Sequence, residues 1–274
     1  MPKSKALPAK AAPPSDKPSP PKLITLPSFL ATEGANLDAG LVQHRDAVLA
    51  RFEVLNGLFY EPHRHIKLKR EGRALLLGAL FDMAHFQLHF TMATFLRGHR
   101  SEAFASVRKA IDAAMNAMVL HIEPTQFTNY KASAYPFTRM THYLTRPARQ
   151  AAYPLATHLV DIHGICSNFA SHADFRSLPP RAKLVAPDGG DGAAFRFFWF
   201  EPHQEDPPLD HAIGIDLLVA FGLVLRAFMP WIFAHAPKLA KEWRKNAMAF
   251  VKSLNAEQDA IAKEFKAAGR LVKT

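Results

Sequence analysis

Cysteine is almost missing from this chain. Its 274 residues hold one, Cys166, which excludes an internal disulfide and any zinc cluster built on thiolates and fits a reducing compartment. The first residues contain no apolar run of the kind that a secretory leader needs, so no signal peptide is expected and a cytoplasmic location is. Also absent are the Gly-x-Ser-x-Gly elbow, the phosphate-binding P-loop, the glycine pattern of dinucleotide folds and His-Glu-x-x-His. No cofactor is therefore called for. Net charge is lacking in the middle. Of the overall +10, residues 1–22 carry five lysines against one acid, residues 238–274 nine bases against four acids, and residues 23–237 twenty against nineteen. A basic groove within the core is not indicated. Weak electrostatic contact with nucleic acid through the two basic ends is compatible with the pattern, as is plain solubilising charge.

Apolar residues are plentiful, at 49%, and most follow helical spacing. Residues 1–22 are rich in Pro, Lys and Ala with little to bury, which predicts a disordered tail. The rest, 23–274, reads as a single helical domain. Asn36 is placed to cap a first helix to about Tyr60, striped by Leu37, Leu41, Val48, Phe52, Leu55 and Phe59. Arg73–Leu96 is apolar on every side, which predicts a central helix with the rest of the chain wrapped around it. Ser101 is placed to cap the next helix, to Ile122. A weaker, aromatic-rich helix over 125–145 is broken near Tyr135-Pro136. A better one spans Leu155–Arg176. Two short strand-like runs, with Pro187-Asp-Gly-Gly-Asp-Gly between them, predict a small β-hairpin at about 182–201. Ile213–His235 is long enough to cross a bilayer, but Asp216 and Arg226 interrupt it and favour burial in the protein, so no membrane span is expected. A basic amphipathic helix covers about 237–269. The fold class is thus mainly α: a multi-helix bundle around a buried central helix, with a hairpin insertion and a disordered N-terminal tail.

Three groups of polar residues break the apolar pattern. On the central helix, Asp82, His85 and His89 fall within about 60° of one another and can be read as three ligands to zinc or iron. Leu75, Gly78, Met92 and Leu96 share that face, so the plainer expectation is a set of core polar residues bonded to neighbouring helices. Arg108, Asp112 and Asn116 step along the rim of the next helix, where Arg108 and Asp112 can pair at i,i+4. On Leu155–Arg176, the residues His158, Asp161, His172 and Arg176 share a face, and Ser167–Asp174 is unusually polar for its surroundings.

An apolar helix, then Arg108-Lys-Ala-Ile-Asp112, then a helix ending Ser167-Asn-Phe-Ala-Ser171-His172, resembles uncharacterised bacterial helical proteins related to the HEPN superfamily, over about residues 70–180. The resemblance implies a four- to five-helix bundle that often forms homodimers. It also implies one of two roles in toxin–antitoxin or phage-defence systems, a metal-independent ribonuclease or a non-catalytic binding module. Catalytic members of that superfamily carry Arg, four to six residues, then His on a helix. No Arg on a predicted helix here has that spacing, and the formal match Arg196 to His203 lies in the predicted hairpin. The catalytic candidates are therefore Arg108, Asp112 and His172, which would have to converge from two helices, and the binding candidates are His158, Asp161 and Arg176. Both helices must cover Arg73–Leu96, so the first three are expected to meet in one polar site. There, Arg108→Ala would leave a buried Asp112 alone, at a cost of a few kcal/mol.

Overall fold

The computed structural model describes residues 24–66, 72–170, 182–185, 194–197, 200 and 207–269. The tail 1–22 lies outside them. Helix α1 (Leu26–Gln43) starts ten residues before the expected Asn36. Thr25 is the reason: its hydroxyl accepts from the Ser28 N–H at 3.3 Å while the Ser28 hydroxyl accepts from the Thr25 N–H at 3.0 Å. This reciprocal cap is strengthened by Pro27 in the first turn. Asn36 instead donates to the Arg97 carbonyl at 3.2 Å. The expected single helix to Tyr60 is broken at His44, whose buried ring packs on Phe95. A π-helical turn, Arg45–Leu49, follows and leads into α2 (Ala50–His65). The wider turn brings Val48 fully into the core.

Helix α3 (Gly72–Leu96) stops where Gly98 adopts φ 80°. Gly98 N–H bonds to the Phe95 carbonyl and His99 N–H to that of Thr94, so the last carbonyls are satisfied. Helix α4 (Arg100–Ile122) then begins at Arg100, one residue before the expected Ser101 cap. Short helices α5 (Phe127–Lys131) and α6 (Met140–Leu144) stand in place of a 125–145 helix, separated at the cis Tyr135–Pro136 bond. Helix α7 (Ala156–Ala170) follows. Strands β1 (Ala182–Val185) and β2 (Ala194–Phe197) pair antiparallel, Ala182 opposite Phe197 and Val185 opposite Ala194. The other residues of 182–201, Phe200 apart, lie outside the described ones. Helix α8 (Pro207–His235) runs on through Pro230, and α9 (Ala240–Ala267) closes the chain. Trp243 of α9 donates to the Leu58 carbonyl of α2 at 3.1 Å.

The architecture is a mainly helical bundle whose centre is α4, not α3. Helices α3, α7 and α8 all pack on α4. Its buried residues include five alanines, Ala103, Ala110, Ala113, Ala114 and Ala117, beside the larger Val107, Ile111 and Met115. Small side chains let several helix axes approach one helix closely. Helix α3 lies at the side of this arrangement. Its inner face is buried, but Leu75, Met83, Phe86 and Phe90 are 39–61% exposed. The expectation of a helix enclosed on all sides is thereby corrected. Among the described residues α8 is the one helix long and apolar enough to cross a membrane, and most of that stretch is buried in the bundle.

Candidate functional site

Arg108 and Asp112 stand one turn apart at the edge of the buried α4 stripe Val107, Ile111 and Met115. Helix α7 lies across them and delivers His163. Its Nε2 is 3.2 Å from Arg108 Nε and 3.2 Å from Asp112 Oδ1. One ring nitrogen therefore serves two partners in alternation. Unprotonated, it accepts from the guanidinium; protonated, it donates to the carboxylate. The His163 side chain is 15% exposed and that of Asp112 48%, so the seam is reachable from solvent on its acidic side.

Ser167 Oγ donates to the His163 carbonyl at 2.8 Å, and Phe104 stacks on Phe169 at 5.1 Å between the same two helices. Cys166 is buried, and burial pushes its thiol up to about 12, well away from nucleophilic behaviour at neutral pH.

The structure thus joins Arg108 and Asp112 to a histidine of the later helix, but to His163. His172 and Arg176 lie outside the described residues. His158 and Asp161 are exposed on α7, and no side-chain hydrogen bond or ion pair links either to another described residue. His163 did carry a signal. Ala156, Leu159 and Cys166 form the buried stripe of α7, and His163 is the polar residue at helical spacing within it. The half-exposed Asp112 also corrects the expectation of a buried pair. Arg108→Ala should cost about 1 kcal/mol or less, read as a small shift in the urea midpoint.

The α3 group is arranged differently from a metal centre. Asp82 Oδ1 faces His63 Nδ1 of α2 at 3.2 Å, while His85 and His89 both direct Nε2 at Asn56 Oδ1, at 2.8 and 2.9 Å. With that oxygen as acceptor, both rings carry their proton on Nε2. Helix α2 has supplied Asn56 and His63 as partners, so Asp82 does not converge with the two histidines. Among the described residues no three His, Cys, Asp or Glu side chains are grouped to hold a metal ion. The His85 ring lies between those of Phe59 and His63, each 5.5 Å away. Burial first, then the nearby His89 and His63, lower it to about 4, so it is neutral at physiological pH.

A third cluster has no sequence signature. Glu123, at the C-terminus of α4, accepts from Tyr143 Oη at 2.6 Å, from Tyr153 Oη and from Arg149, whose guanidinium also lies 4.1 Å over the Tyr143 ring. Burial alone would raise the Glu123 carboxyl, but the two hydroxyls and the arginine outweigh it and hold the group below its ordinary range. Burial and the same carboxylate raise both tyrosines. This cluster ties the irregular 124–153 segment to the end of α4. An open depression of about 390 Å³ lined by Tyr130, Lys131 and Phe137 shares no residue with the α4/α7 seam.

The chain matches no protein-family model, no curated protein and no solved structure.

Proposed function

We propose that the chain is a HEPN-like helical binding module, defence-associated in its setting, whose recognition site is the α4/α7 seam and whose ligand class is single-stranded RNA. The observation that carries this reading is His163 Nε2 at 3.2 Å from both Arg108 and Asp112. A guanidinium beside a protonatable ring offers charge-assisted donors to a phosphate. A phosphate arriving there takes Arg108 from His163 and leaves the ring beside Asp112. The net charge of +10, concentrated in the basic ends, supports attraction to a polyanion.

The experiment is fluorescence anisotropy of a labelled RNA oligonucleotide with the full chain in EDTA, at two salt concentrations. Binding that weakens with salt, and weakens at least about tenfold in Arg108→Ala and His163→Ala, is the expected result. Equal affinity in parent and variants removes the seam from the reading.

The same geometry favours a second reading, a metal-independent ribonuclease. An imidazole within reach of a cation and a carboxylate can take the proton of a 2′-hydroxyl while the guanidinium stabilises the phosphorane. Arg108 keeps its assigned part, and His163 takes the place given to His172. RNA cleaved in EDTA by the parent but not by His163→Ala selects this reading over plain binding.

A further inference from the structure

An apolar stripe runs down the outside of α3. Leu75, Ala79, Met83, Phe86 and Phe90 are exposed and Ala93 half-buried. Phe86 is 61% exposed, Leu75 49%, Phe90 48% and Met83 39%. At 100° per residue these six positions fall within about 80° of one another along some 27 Å of helix. With side chains of ~200 Å², the exposed fractions amount to on the order of 400 Å² of apolar surface. That is as large as the largest patch on a typical monomer, and about half of what one partner contributes to a standard interface. No charged side chain interrupts the stripe. Asp82, with its side chain 66% exposed, and exposed His89 border one edge.

The order of residues is self-complementary about Phe86. A two-fold interface needs a patch that matches itself after rotation. Let a second α3 cross antiparallel with the axis at Phe86. Residues then face each other in pairs equidistant from position 86 to within one residue, and each edge of the stripe meets the same edge of its copy. Phe86 meets Phe86. Ala79 lies opposite Ala93 of the second copy, and two small residues let the helices close to roughly 8 Å. On one edge Met83 meets Phe90 of the second copy, a sulfur–aromatic contact. On the other, Asp82 reaches His89 of the second copy. Each of these side-chain pairs occurs twice, except Phe86 with Phe86, which lies on the axis. A parallel arrangement would instead set the Asp82 edge against the Met83 and Phe90 edge of the second copy, leaving the carboxylate beside apolar side chains. Residue size, chemistry and charge all favour the antiparallel pairing.

We infer that this stripe is the interface of an antiparallel homodimer centred on Phe86. The test is sedimentation equilibrium of the full chain together with Phe86→Glu, Phe86→Cys and Leu75→Cys. The parent sediments as a dimer. Phe86→Glu sediments as a monomer with unchanged circular dichroism and melting temperature, since the side chain is exposed in the single copy. Under mild oxidation Phe86→Cys forms a disulfide-linked dimer. Leu75→Cys does not, because its two copies stand roughly 33 Å apart in this arrangement. The parent, whose sole cysteine is buried, is the control for cross-linking. A monomeric parent, a dimeric Phe86→Glu, or equal cross-linking through Leu75→Cys would each overturn the inference. The first of these is also what a stripe serving a different protein would give.

Discussion

Single side chains differ sharply in what they hold. Asp210 of α8 is fully buried and paired with Arg100 at the start of α4, with Gln43 Nε2 at 3.4 Å from its second oxygen. Arg100→Ala takes the opposite charge from that buried carboxylate and should lower stability by about 3–5 kcal/mol. The double change Arg100→Met/Asp210→Leu removes both charges and should lie closer to the parent than either single variant in a urea titration. A double variant less stable than Arg100→Ala would contradict this. Arg108→Ala removes a hydrogen bond to His163 at a seam open to solvent on the Asp112 side and belongs to the opposite, inexpensive class. The contrast also marks how far residues are legible in sequence. Arg108 and Asp112 show themselves by i,i+4 spacing on one helix. Their third partner depends on how α7 is set against α4, so the expectation falls on His172 while the packing supplies His163, nine residues earlier. Glu123 and Tyr153 are thirty positions apart with nothing repeating between them, and only the folded chain brings them together.

At the scale of elements, apolar content does not identify the central helix. Helix α3 is rich in large apolar residues, and that richness reads as burial on every side. The place in the middle goes to α4, because three neighbours fit around alanine more closely than around leucine or phenylalanine. What leaves α3 apolar on the outside is then a property of its surface, not of its packing. The end of α8 and the extent of α9 follow from hydrophobic spacing and proline positions, but α8 starts at Pro207, six residues before the expected Ile213, and runs through Pro230. The break at His44 does not, since the π-helical turn answers to Phe95 and Val48 packing in three dimensions. Close approach also sets the demand for glycine. A Cβ at Gly214 of α8 would stand 2.7 Å from Val48 Cγ2 and 3.0 Å from Val48 Cγ1. Valine cannot swing aside as a long side chain would, so Gly214→Ala should destabilise by about 1–3 kcal/mol, seen as a lower melting temperature. An unchanged or raised melting temperature would show that α8 and the π-helical turn slide apart freely.

The whole molecule should lose stability in mild acid, and the sign follows from His85. Its folded value is about 4 against 6.5 when exposed. Between the two, the unfolded chain takes up a proton that the folded chain refuses, so stability falls as pH drops through 6.5 toward 4. The ring is partly open to solvent, which reduces the effect to about 1 kcal/mol by pH 5. His121, lowered by burial with His235 and Arg73 nearby, acts in the same direction. Melting temperatures at pH 7.5 and pH 5 should therefore differ more in the parent than in His85→Gln; equal differences would assign the proton uptake to His121 instead. The central position of α4 has one more consequence. Helices α1 to α5 make up one piece and α6 to α9 another, and the packing of α4 on α7 and α8, with α2 and α3 on α8, is the joint between them. The peptide link across exposed Arg139 is dispensable to that joint, while each piece alone lacks the other half of the core. Residues 1–139 and 140–274, made as two separate chains, should be insoluble singly and reassemble when expressed together, which makes the protein a natural pair of complementing fragments.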